Sequence, residues 1–153
     1  MIFWSVLAAL IILFDQFTKY LVIENIGLTD SLRVIPGVID FVYVKNTGAA
    51  FSFLANKTYG IVILSIVSVL FCLGVIVYII KTKPKNKLLL LSLALMFSGA
   101  VGNVIDRIFR GFVVDFIETV FISFPVFNVA DIAITAGAVL LIIYVMFFEK
   151  ESK

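Results

Sequence analysis

The chain has 153 residues, 63% hydrophobic and only 14% charged, with a mean hydropathy of +1.20 and a formal net charge of +2. A soluble domain this short has too much surface for its volume to bury so large an apolar fraction, so lipid must replace a protein core; the length limits the chain to one domain. The charge is too small and too scattered for nucleic-acid binding, and the absence of histidine removes Ser-His-Asp triads, Cys-His pairs and His-based zinc sites together.

Four windows approach the roughly 20 apolar residues that a spanning helix needs. The first covers residues 2–23 and is interrupted by Asp15 and Lys19. It lacks the basic start and small-residue cleavage site of a signal peptide, and its apolar run is too long, so it is expected to remain as a span. Residues 24–58 form the longest connection. They hold Pro36, Gly37 and Gly48 and an alternating stretch, Val38-Ile39-Asp40-Phe41-Val42-Tyr43-Val44, which suits one or two short strands at the membrane surface.

The second window, residues 61–80, and the third, residues 88–105, carry no charge and are joined by a basic turn from Lys81 to Lys87. The lone Cys72 lies in the second and reads as a small polarizable packing residue. A third connection, about 106–127, mixes Asp106, Arg107, Arg110, Asp115 and Glu118 with apolar residues. The fourth window covers 126–148, with Asp131 near its start. There is no internal repeat. The whole reads as an all-α integral membrane protein of four transmembrane helices.

Four spans put both termini and the basic turn on one side. Raw counts of Lys and Arg tie at six on each side, but Lys81, Lys83, Lys85 and Lys87 directly abut two span ends, where positive charge fixes orientation most strongly. That turn and both termini are therefore expected in the cytoplasm, with the long loop and the acid-rich connection outside.

Ionisable groups within spans are expensive, so each raises a functional hypothesis. Asp15, Lys19, Asn103, Asp106, Arg107, Asp115, Asn128 and Asp131 all fall near span ends on the outward side. Asp15 and Lys19, one turn apart, form either a local ion pair that snorkels to the interface or a contact for substrate or lipid headgroup. A catalytic Lys19 is disfavoured, because neighbouring Asp15 stabilises its charged form.

Asn103, Asp106 and Arg107 share one helix face in GNVIDR, where structural support is the favoured reading. Gly99 and Gly102 allow another helix or a peptide backbone to approach closely. Asp115 in GFVVDFI and Asp131 in FNVADIAIT both sit where a carboxylate is poorly solvated. Facing each other they would share a proton as in aspartic proteases; apart, they would merely neutralise Arg107 or Lys19.

DQFTK at 15–19, KNTGAAF at 45–51, GNVIDR at 102–107, VVDF at 113–116 and FNVAD at 127–131, in this order on four spans, resemble the lipoprotein signal peptidases, the type II signal peptidases of bacteria. The resemblance covers the whole chain. It implies an aspartic endopeptidase of the cytoplasmic membrane that cleaves prolipoproteins before a diacylglyceryl-modified cysteine. It puts the catalytic pair on Asp115 and Asp131, with supporting positions at Asp15, Lys19, Asn46, Gly48, Asn103, Asp106, Arg107 and Asn128.

The resemblance further implies a small extracytoplasmic β-sheet from residues 24–58 with a short extracytoplasmic connecting segment, sensitivity to the cyclic peptide globomycin, contact with membrane lipid, and no metal or cofactor. Gly48 would permit a turn that carries Asn46 over the cleft, with Phe51 as part of a lid. A four-helix transporter with an aspartate proton relay is the alternative. It would place acids near the bilayer midplane on a broken helix or in repeated halves, a pattern this sequence lacks.

Overall fold

A computed structural model describes residues 1–48 and 59–148; Phe51, and with it the expected lid, lies outside the described residues. The elements in chain order are α1 (Ile2–Asn25), β1 (Ser31–Ile35), β2 (Ile39–Asn46), α2 (Gly60–Thr82), α3 (Lys87–Arg110), β3 (Val113–Thr119) and α4 (Val129–Phe147). All four helices are long and apolar enough to cross a membrane.

Local chemistry sets the helix ends. Asn86 caps α3, its Oδ1 accepting from Leu88 N and Leu89 N at 2.9 and 3.2 Å. Gly111, at φ +75°, ends the same helix in the left-handed conformation that glycine adopts without strain. Helix α2 stops at Lys83, immediately before Pro84, which cannot continue a helix. Asn128 and Asp131 form a reciprocal capping box at the start of α4. The cap starts α4 at Val129 rather than at 126, and α1 and α3 run on past 23 and 105 to Asn25 and Arg110.

Helix α3 is the most enclosed of the four and packs against each of the others. Its contact with α4 is close because glycines line it. A Cβ on Gly99 would overlap the carbonyl oxygen of Ala130, and one on Gly137 would stand 2.8 Å from Ser92 O. Gly99 thus admits another helix, as its spacing suggested. At the end of the bundle near the basic turn, Val75, Leu89, Leu93 and Tyr144 form an apolar core. Outside these contacts the helices present exposed Phe3, Leu10, Phe14, Phe17, Ile66, Leu70 and Ile142, a surface that only lipid covers favourably.

The three-stranded antiparallel sheet has the order β1-β2-β3. The turn between β1 and β2 holds Pro36 and, at φ +74°, Gly37, and Val38 N closes it on Ile35 O at 2.9 Å. The expected strand around 38–44 is β2, and the loop contributes a second in β1. The third strand was not expected: part of the connection after α3 pairs with β2, Val44 opposite Asp115, after a bulge between Phe41 and Val44. Val114 and Phe116 on β3 bury against Val22 and Ile26 at the end of α1, with Phe41 and Tyr43 alongside. That packing seats the sheet on the bundle and turns Asp115 toward α4.

Candidate active site

Two layers of polar side chains lie at the sheet end of the bundle. The deeper layer is an ion cluster centred on Lys19, which is 0% exposed. Its Nζ is 2.9 Å from Asp15 Oδ2, 2.9 Å from Asp106 Oδ2 and 3.0 Å from Asn103 Oδ1. Asp15 and Asp106 are also 0% exposed. Asp15 Oδ1 accepts from Ala130 N at 2.9 Å, tying α1 to the start of α4.

Asp106 Oδ2 accepts from Val114 N at 3.1 Å, fixing the residue before Asp115, and its Oδ1 pairs with Arg110. Gln16 completes the layer. Its Nε2 donates to Gly102 O and to Asp106 Oδ1 at 3.1 and 3.2 Å, and its Oε1 accepts from Arg110 at 3.0 Å. Every charge here has an opposite charge or a hydrogen-bond donor beside it, the condition under which buried ions are tolerated. Asp15 and Lys19 therefore form the local ion pair their spacing suggested, but it is buried as a support behind the cleft rather than snorkelling to the interface.

The upper layer opens on a cleft of about 1090 Å³ lined by Asn46, Gly48, Asn103, Arg107, Asp115 and Asp131, among others. Asn128, fully buried, reaches both carboxyl groups: its Nδ2 donates to Asp115 Oδ1 at 2.7 Å and its backbone N to Asp131 Oδ2 at 3.1 Å. Asp131 Oδ1 accepts from Asn103 Nδ2 at 2.8 Å, and Asp115 Oδ2 accepts from Asn46 Nδ2 at 2.8 Å. Gly48 N donates to Asn46 Oδ1 at 2.9 Å, which leaves the amide nitrogen of Asn46 free for Asp115.

Asp115 is 3% exposed, and burial pushes its carboxyl up from the ordinary 3.8 to about 6. The negative charge of Asp131 pushes the same way, while hydrogen bonds from Asn46 and Asn128 and the charge of Lys19 pull it back.

All ten residues singled out in the sequence lie at this end of the bundle, divided between cleft and support. Asn46, Gly48, Asn103, Arg107, Asp115 and Asp131 line the cleft; Asp15, Lys19, Asp106 and Asn128 sit behind it. Gln16 and Arg110 were missed. The signal for Arg110 was its spacing four residues after Asp106, which puts both on one helix face; Gln16 meets them only across helices, about 90 residues away in the chain. Among the described residues no three acidic or thiol side chains come together as metal ligands would.

Comparison with known proteins shows the family and the fold. Residues 7–147 match the family model described as signal peptidase (SPase) II. A lipoprotein signal peptidase of Geobacillus thermodenitrificans (strain NG80-2) is 40% identical, over 99% of this chain and 94% of its own. One from Streptococcus thermophilus (strain CNRZ 1066) is 45% identical over 84% and 82%. A solved structure described as a bacterial membrane enzyme superposes with a TM-score of 0.91 at 33% identity, covering 100% of this chain and 93% of that one. Four apolar helices and these neighbours make the chain a multi-pass membrane protein, and it belongs to the signal peptidase II family.

Proposed function

We propose that this chain removes the signal peptide from diacylglyceryl-modified bacterial prolipoproteins, cutting before the lipidated cysteine, with Asp115 and Asp131 as an aspartic dyad. The observation that carries the reading is the double grip of Asn128. One residue bonds both carboxyl groups at the edge of one cleft, and the charge of one carboxyl raises the affinity of the other for a proton.

The chemistry follows from one proton shared between two carboxyls. The ionised member takes a proton from water as the water oxygen bonds to the carbonyl carbon before the cysteine. The protonated member gives its proton to the carbonyl oxygen, so the intermediate carries two hydroxyls and no net new charge. One carboxyl then gives a proton to the peptide nitrogen as the C–N bond breaks, while the other takes a proton from a hydroxyl of the intermediate, so the pair again holds one proton. The products are the signal peptide's carboxyl group and the free amine of the lipidated cysteine. The pair titrates as a unit, so neither carboxyl is the base at all times.

The support layer suits this task. Charges in it are balanced and immobile, so they orient Asn103 and Val114 without competing for substrate. The amides of Asn46, Asn103 and Asn128 hold the carboxyls with neutral donors. The basic turn lies at the opposite end of the bundle from the cleft, which favours cytoplasmic termini and an extracytoplasmic site in the cytoplasmic membrane. At that level a substrate cysteine anchored by its diacylglyceryl group holds its scissile bond at the membrane surface. Occupation of the same cleft by globomycin would inhibit the enzyme.

The test is cleavage of a diacylglyceryl-modified prolipoprotein by the purified wild type beside Asp115→Asn and Asp131→Asn. Cutting before the cysteine by the wild type, with turnover at least about a thousandfold lower in both variants at unchanged melting temperature, is the expected result. Near wild-type turnover in either variant overturns the dyad.

A further inference from the structure

The cleft continues past the dyad along α4, where Ile132, Thr135 and Ala136 line it. Thr135 stands one helical turn from Asp131 toward the bilayer centre, about 6 Å along the axis at 1.5 Å per residue. It is exposed, and among the described residues its hydroxyl has no hydrogen-bond partner.

That state is unusual within the described helices. The hydroxyls of Ser65, Thr82, Ser92 and Ser98 each donate to a carbonyl of their own helix three or four residues back, the normal solution for a hydroxyl in an apolar helix. Ser68 shares the unpaired state, but it stands on α2, which contributes nothing to the cleft.

The substrate supplies the missing partner. A signal peptide crosses the bilayer as a helix, with every backbone group paired internally. Its scissile bond must be unwound before water can reach the carbonyl, and unwinding frees N–H and C=O groups at membrane depth. Each unpaired group there is costly. An enzyme that works at this depth must offer replacements on the side of the cleft nearer the bilayer centre. The apolar signal segment precedes the cysteine in sequence, so that side is where it lies.

We infer that Thr135 is a substrate-positioning residue whose hydroxyl pairs with the unwound backbone of the signal peptide on the N-terminal side of the scissile bond. The 6 Å offset corresponds to about two extended residues at roughly 3.3 Å each, which sets the contact about two positions before the cleaved bond. A hydroxyl both donates and accepts, so either backbone group satisfies it. Ala136 beside it leaves room for the chain. This role rests on the peptidase reading.

Kinetics of the full-length protein on a diacylglyceryl-modified prolipoprotein, with Thr135→Val and Thr135→Ser beside the wild type, provide the test. Valine keeps the shape and removes the hydroxyl; serine keeps the hydroxyl. Thr135→Val is expected to lower kcat/KM about five- to thirtyfold, mainly through KM, with an unchanged melting temperature and pH profile. Thr135→Ser is expected to stay within about threefold of the wild type.

Equal kcat/KM for valine and wild type overturns the inference, as does equal impairment of serine and valine, which would make the methyl group the contact. Loss of melting temperature parallel to the loss of activity also overturns it. If wild type does not cut at all, the peptidase reading falls and this inference with it. A cutting wild type and dead Asp115→Asn, alongside an unaffected Thr135→Val, sink this inference alone.

Discussion

Asn103 donates its Nδ2 to Asp131 Oδ1 across 2.8 Å, joining the end of α3 to the start of α4. The same amide cannot turn round, because its Oδ1 already accepts from Lys19 at 3.0 Å and from Asn128 at 3.2 Å. A buried cation thus fixes which face of a neutral amide meets the carboxyl. Asn103→Ala is expected to lower kcat about 10- to 150-fold, the effect of losing one hydrogen bond to a charged group. A kcat within twofold of the wild type would remove Asn103 from the machinery.

Lys19→Met leaves Asp15 and Asp106 without their shared cation in a fully buried place. An uncompensated buried charge typically destabilises by about 3–5 kcal/mol. Asp106 keeps Arg110, so Asp15 is the acid left without a cation. The expected outcome is a large drop in thermal stability of the purified protein, partly restored by adding Asp15→Asn. A Lys19→Met protein that melts like the wild type would show that the cluster contributes little to holding the fold.

The raised Asp115 carboxyl has a defined pH consequence. Folded, it binds its proton more tightly than an unfolded aspartate, so the stability it contributes is complete below about pH 3.8 and lost as pH rises through about 6. On the proposed dyad mechanism the required proton leaves over the upper part of that range, so kcat/KM is expected to fall as pH rises through the upper apparent pKa of the pair. In Asp131→Asn one of the causes of the upward shift is gone. The remaining carboxyl is expected to titrate lower, as followed by its infrared carbonyl band; an unchanged midpoint would mean that the two groups do not interact.

Gly99→Ala drives a Cβ into the carbonyl oxygen of Ala130, the neighbour of Asp131, and backbone cannot yield there cheaply. A loss of about 1–3 kcal/mol in stability, together with reduced turnover, is expected. Gly74→Ala meets nothing within 4 Å and replaces glycine inside α2. It should be neutral or up to about 1 kcal/mol more stable. Melting of the two variants side by side checks both, and equal behaviour would contradict the close α3–α4 contact.

Much of this protein is written in local sequence. Four apolar windows give four helices because the bilayer rewards any run long enough to cross it while pairing its own backbone. The alternation before Lys45 gives β2, while the Asn128–Asp131 capping box moves the start of α4 to Val129 from the expected 126. The gathering of polar residues at one end of the spans is equally legible, since charges are tolerated in a membrane only where something pays for them.

Strand β3 was not legible. Its seven residues, Val113–Thr119, carry two acids and follow a helix directly, and they become a strand because β2 offers an open edge and α1 offers Val22 and Ile26 to cover one face. That pairing sets the orientation of Asp115. The sharing of Lys19 between Asp15 and Asp106, the roles of Gln16 and Arg110, and the double grip of Asn128 likewise join residues from α1, α3, β3 and α4. Sequence determined which residues are too polar for the membrane to leave unpaired. Only the tertiary structure decided which partners satisfy them, because hydrogen bonds and ion pairs depend on ångström distances between segments up to 115 residues apart in the chain.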